Sequence, residues 1–187
     1  MDNKIGTGVT LAGNAASGAN TSDQLQITNH YTVECRGKDG KFKWLEEFSN
    51  IVPNGGLDDL LNKYLKGSAY TAVFYVGLTS ATPTVQATDT MASHGGWTEL
   101  EAYSESVRQS LTLGAVSGQS VDNTASKAVF TVSQDSQSIG GAFITTDQVK
   151  GGTTGILYSA AAFQTGNKGL DTGDTLNVSV FCTAASA

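Results

Sequence analysis

Residues 27–48 read ITNHYTVECRGKDGKFKWLEEF, and this stretch decides the fold. Tyr31, Val33 and Cys35 alternate with Thr32, Glu34 and Arg36, the two-residue period of a strand with one buried face. Lys38-Asp39-Gly40-Lys41 then interrupts the pattern with an Asp-Gly pair, which suits a tight turn. Phe42, Trp44 and Phe48 continue on a returning strand. The stretch is expected to be a β-hairpin.

Outward from the hairpin, Asn54-Gly55-Gly56 opens a segment in which Leu57, Leu60, Leu61, Tyr64 and Leu65 fall at helical spacing. Asp58 and Asp59 near its start and Lys63 and Lys66 near its end complement the helix dipole, and Gly67 is a natural stop. This is the one helix expected, laid across a sheet by its apolar stripe. Tyr70–Leu78 (YTAVFYVGL) reads as a buried central strand. Further strands are expected over Tyr103–Leu113, Lys127–Val132, Ser138–Thr145, Gly155–Phe163 and Thr175–Thr183, with turns at Gly114–Asn123, Asp147–Thr154 and Thr165–Asp174. In the last strand Leu176, Val178, Val180 and Cys182 alternate inward. The fold class is mainly β: a β-sandwich or barrel-like domain over residues 26–187, with one short α-helix. Residues 1–25 hold few large apolar side chains and read as a flexible or extended N-terminal arm.

Composition agrees. The 187 residues suit one domain; 15% are charged, below the roughly one quarter usual in soluble domains. A net charge of −6 and a pI near 4.7 argue against nucleic acid, which needs a concentrated basic patch. No apolar run approaches the roughly 20 residues needed to cross a bilayer, and no signal-peptide core opens the chain. The protein is expected to be made in the host cytoplasm, with no membrane partner. Its two cysteines, Cys35 and Cys182, face inward in the first and last strands. In a reducing compartment two buried thiols are favoured over a disulfide.

Little chemistry is visible. Of two histidines, only His94 has company: DTMASHGGW places Asp89, His94 and Trp97 in one loop. That falls short of a zinc site or a catalytic triad, which need a larger cluster. Glu99, Glu101 and Glu105 alternate onto one face of an extended segment, as on a solvated strand edge. The glycine pairs Gly140-Gly141 and Gly151-Gly152 lack a phosphate-loop context. No catalytic, cofactor-binding or metal-ligating residue is assigned, and the chain is expected not to be an enzyme.

Two stretches carry a resemblance. One is VECRGKDGKFKWLEEFSNIVPNGGLDDLLNKYLKG over residues 33–67; the other is YVGLTSATPTVQATDTMASHGGWTELEAYSESVRQSL over residues 75–111. The second holds Tyr75, Gly77 and Leu78, then Asp89, Thr90, Met91, Ser93, His94, Gly96, Trp97 and Glu99, then Ala102, Tyr103 and Arg108. With IGGAFITTD from Ile139 and GDTLNVSV from Gly173, they resemble a group of small structural proteins of tailed-bacteriophage virions. The resemblance implies a capsid decoration (cement) protein on the outer surface of the head, partnered by the major capsid protein and by copies of itself, a trimer being favoured. The arm would contact shell or subunit through Ile5, Val9 and Leu11. The alternative is a tail or fibre-associated protein that stacks a glycan on Trp97 and Tyr103, with His94 in the same contact loop.

Overall fold

The computed structural model describes residues 25–70 and 73–186, and within them the chain is mainly β. The contacts expected of Ile5, Val9 and Leu11 lie outside the described residues. The hairpin forms as read: β1 (Leu25–Arg36) pairs antiparallel with β2 (Phe42–Ser49), setting Tyr31 opposite Phe48 and Cys35 opposite Trp44. In its turn the Asp39 carboxylate accepts the Lys41 N–H at 3.0 Å, and Gly40 takes φ 77°, a conformation that suits a residue without Cβ.

The last strand closes against the first. β11 (Thr175–Ser186) pairs with β1 along its whole length, from Leu25↔Ser186 to Arg36↔Thr175. The far edge of β11 carries two short strands, β5 (Ser120–Asp122) and β6 (Ala128–Thr131). Asn123 stands in the gap between them: its side chain donates to Val178 O at 3.2 Å and accepts from Val180 N at 2.6 Å, while its own N–H donates to Val180 O at 3.3 Å, continuing the ladder between the two strands.

A second antiparallel sheet runs β4-β3-β8-β9, from β3 (Tyr75–Thr79), β4 (Gln109–Ser110), β8 (Gly141–Thr145) and β9 (Leu157–Ala162). β7 (Gln137–Ile139) and β10 (Lys168–Leu170) form a separate two-stranded ribbon. The two sheets are joined at both sides. Ile51 and Ala160 exchange backbone hydrogen bonds at 3.0 and 3.2 Å, while Ser104 N donates to Thr131 O at 2.8 Å and Ser133 N to Ala102 O at 3.0 Å. The result is a sandwich bridged toward a barrel, with β2 as an edge strand paired only to β1 among the described residues.

Between the sheets lies the main core. Tyr31, Val33, Cys35, Leu176, Val178 and Val180 from one sheet meet Val76, Leu78, Ala142 and Ile144 from the other. Tyr31 stacks on Phe48 at 5.2 Å, and Phe48 meets Phe163 edge-on at 5.0 Å; such aromatic pairs add about 1 kcal/mol each beyond their buried area. β8 is buried along its whole length because the 80–100 loop covers the outer face of its sheet. There Met91 and Trp97 pack on Phe143, Leu157 and Ala160 as a second, smaller core.

Several expectations are corrected. Of the span read as one strand over Tyr70–Leu78, the structure places Tyr75–Leu78 in β3, and Phe74 lies just ahead of it. Tyr103–Leu113 contains only the two-residue β4, because Tyr103, Glu105 and Arg108 each turn to a different partner. β5 and β10 lie in segments read as turns, being too short to display a period. The two cysteines are free thiols as expected, but Cys182 is only half-buried; they stand at opposite ends of the β1–β11 ladder, Cys35 facing Leu176 and Cys182 facing Asn29. Six residues of strand separate those positions, about 20 Å.

The helix differs most. α1 (Asn54–Leu60) runs on into a π-helical turn at Leu61–Leu65, closed by Lys66 N donating to Leu61 O at 3.1 Å. It begins early enough that Asp58 and Asp59 fall beyond its first turn. Its apolar stripe does not lie on the sheet: Leu57, Leu61, Tyr64 and Leu65 are exposed and Leu60 is half-buried. The buried contact is Gly56, whose position leaves a Cβ only 2.9 Å from Tyr158 O on β9. Backbone-to-backbone approach through a glycine fixes which side of the helix faces the domain, and it turns the leucines outward.

Candidate interaction site

Of the residues singled out in the sequence, His94 and Trp97 come together, but in packing rather than display. Trp97 is 7% exposed; His94 stacks on its ring at 3.8 Å and 18°, and Phe143 lies 5.0 Å away. The His94 Nδ1 sits 3.1 Å from Trp97 O, while the Asp89 carboxylate accepts the Gln86 N–H at 3.0 Å. His94 and Asp89 are thus each held by local backbone. Tyr103 is also buried, with the Lys150 ammonium 4.1 Å from its ring centroid. Neither ring offers a broad face for a sugar, which a stacking platform requires.

The phrase from Tyr75 to Arg108 reads in the structure as one packing unit. The Phe143 ring lies over Gly77, where a Cβ would stand 2.1 Å from it. The Arg108 guanidinium lies 5.2 Å from the centroid of the same ring and pairs with Glu99. Glu99 and Glu105, expected on a solvated edge, instead serve as acceptors: Glu99 from Arg108 and from Gly151 N at 3.0 Å, Glu105 from Thr131 N. Sequence alternation could not distinguish these from exposed carboxylates.

Ionisable groups elsewhere are tied into structure. Burial pushes the Cys35 thiol up to about 12, helped by the Asp174 carboxylate, and burial pushes Cys182 up to about 11. At neutral pH both are protonated and poor nucleophiles. Burial alone would raise Glu46, yet hydrogen bonds from Thr165 and the Lys168 ammonium hold its carboxyl below the usual range. Lys43 is raised by its 2.6 Å bond to Asp174. Among the described residues no group of three His, Cys, Asp or Glu side chains is placed to hold a metal ion, and no helix is long and apolar enough to cross a membrane.

The surface that stands out was missed in the sequence, because it was assigned to the core. Leu57, Leu61 and Leu65 follow one another at four-residue steps on the outer side of the helix, 41%, 49% and 71% exposed, with Tyr64 at 84%. Beside them a cleft of about 210 Å³ is lined by Asp59, Leu60, Lys63, Tyr64, Tyr70, Phe74 and Tyr158. The half-buried Asp59 and Lys63 stand toward the domain while leucines face water. This is amphipathicity turned inside out for an isolated domain, and contiguous apolar surface of this kind marks a contact site. Compared with family models, with curated proteins and with solved structures, the chain matches none.

Proposed function

We propose that this chain is a structural protein of a tailed-phage virion that decorates the outer surface of the head, binding the major capsid protein as an oligomer. The carrying observation is the outward apolar face of Leu57, Leu61, Tyr64 and Leu65 on a β domain. Single apolar side chains are exposed elsewhere too, among them Phe42, Val116 and Val149, but these three leucines and a tyrosine share one short helix; apolar surface gathered in this way suits a subunit completed by neighbours. The reading is supported further by the motif residues from Tyr75 to Arg108, which build a rigid second core rather than a cleft with converging reactive groups. Ile5, Val9 and Leu11 remain the proposed shell-contacting residues of the arm.

Repeated attachment at equivalent lattice points would make weak single contacts strong together. The test is the copy number of this chain in purified particles, measured by quantitative mass spectrometry against the major shell protein. A ratio near one per shell subunit, or one per local symmetry axis, is the expected outcome. A handful of copies would move the chain to the tail, and absence from particles would overturn the virion reading altogether.

A further inference from the structure

We infer that the outward helix face is a self-association surface at which two copies of this chain pack their helices antiparallel about a two-fold axis near Leu61. This deepens the oligomer proposed above but does not rest on where that oligomer attaches. Three observations carry it.

The first is the line of the stripe. Over four residues a regular α-helix advances about 40° beyond a full turn, so Leu57, Leu61 and Leu65 would drift around a uniform helix. The π-helical turn at Leu61–Leu65 rotates less per residue and brings Leu65 back over Leu57. By that geometry the three leucines keep close to one line, as a helix-to-helix seam requires.

The second is charge. Asp58 stands at the start of the stripe and Lys66 at its end, both exposed and neither ion-paired among the described residues. Antiparallel pairing sets Asp58 of one copy near Lys66 of the other, twice, by symmetry. A parallel arrangement would place like charges together. Self-complementarity of this sort is what an isologous contact demands.

The third is area. The exposed parts of Leu57, Leu61, Tyr64, Leu65 and Tyr70, hydroxyls and backbone included, amount to surface on the order of 600 Å², most of it apolar, toward the upper end for a free monomer. A standard stable interface takes about 800 Å² from each partner, so this face with its rim approaches the requirement.

The test uses the purified full chain, with mass measured by light scattering and sedimentation at concentrations up to about 0.1 mM, a range that populates micromolar contacts. The wild type is expected to be a dimer. Leu61→Asp is expected to give a monomer with an unchanged circular dichroism spectrum, since Leu61 is half exposed and belongs to neither core cluster. Lys66→Asp should weaken association several-fold, and adding Asp58→Lys should restore it. Leu61→Cys, lying on the axis, should cross-link to its own copy on oxidation, in a Cys182→Ser background. A monomeric wild type overturns the inference and leaves the face to residues 1–24 or to a shell protein. A trimer overturns the two-fold arrangement, and a dimer that survives Leu61→Asp overturns the surface.

Discussion

Arg108 and Glu99 form a buried, two-pronged ion pair: Nε donates to Oε1 at 2.9 Å and Nη2 to Oε2 at 2.7 Å. The Arg108 side chain is fully buried, and its remaining donors reach Asp147 O at 2.9 Å and Gly152 O at 2.8 Å. One guanidinium therefore ties the end of the 80–100 loop to the 146–152 turn over the outer face of the second sheet.

Glu99→Ala should lower stability by about 3–5 kcal/mol, because it strands a buried guanidinium. Replacing both residues, Glu99→Leu with Arg108→Met, should recover part of that loss; the two orphaned carbonyls prevent full recovery. Chemical denaturation of the three variants measures this, and a single-variant loss below about 1 kcal/mol would contradict the buried geometry.

Gly77→Ala should destabilise by about 1–3 kcal/mol, since its methyl enters the space of the Phe143 ring. Phe143→Leu carries its own cost, but in the double variant the smaller side chain leaves room for the methyl. A double-mutant cycle should therefore show a combined loss smaller than the sum of the two. Simple additivity would mean the ring and the glycine do not meet.

Acid stability should depend on Glu46. Its carboxyl is depressed in the folded state, so its contribution is present above the ordinary value of 4.5 and is lost as pH falls through the lower folded value. Glu46→Gln should therefore be less stable than wild type near neutrality, with the gap narrowing below pH 4.5 as the wild-type carboxyl protonates. Denaturation midpoints across the acid range measure the gap; one that stays constant would refute the Lys168 and Thr165 contacts.

The thiols contribute on the alkaline side, beside the Tyr31 and Tyr103 hydroxyls, which burial also raises. Both folded thiol values lie above the ordinary 9.0, so their full contribution holds below pH 9.0 and is lost as pH rises through about 11 and about 12. Cys35→Ala should flatten the decline above pH 9.0. A thiol reagent at neutral pH should label Cys35 only on unfolding; rapid labelling of the native chain would argue against its burial.

Much of the fold was legible because a strand with one buried face writes its period into the chain. Tyr31, Val33 and Cys35, like Leu176, Val178 and Val180, alternate because only one side of their sheet meets the core. Three-residue strands such as β5 and β10 hold too few positions for a period. The Trp97 loop was legible as a unit but not as a core, since its residues are brought together by Phe143, far off in sequence. The helix stripe was read correctly as a stripe and wrongly as buried.

Local chemistry along the chain writes the alphabet: the Asp39-Gly40 hairpin, the alternating strands, the short helix and its apolar line. Which surfaces those elements offer to one another is set by contacts across the fold. The pairing of β11 along β1, the burial of Glu46, Glu99 and Arg108, and the outward turn of Leu57, Leu61 and Leu65 all depend on partners distant in the chain. Periodicity names the side of an element that is apolar. Contact geometry, here the approach of Gly56 to Tyr158, decides whether that side meets the core or the solvent.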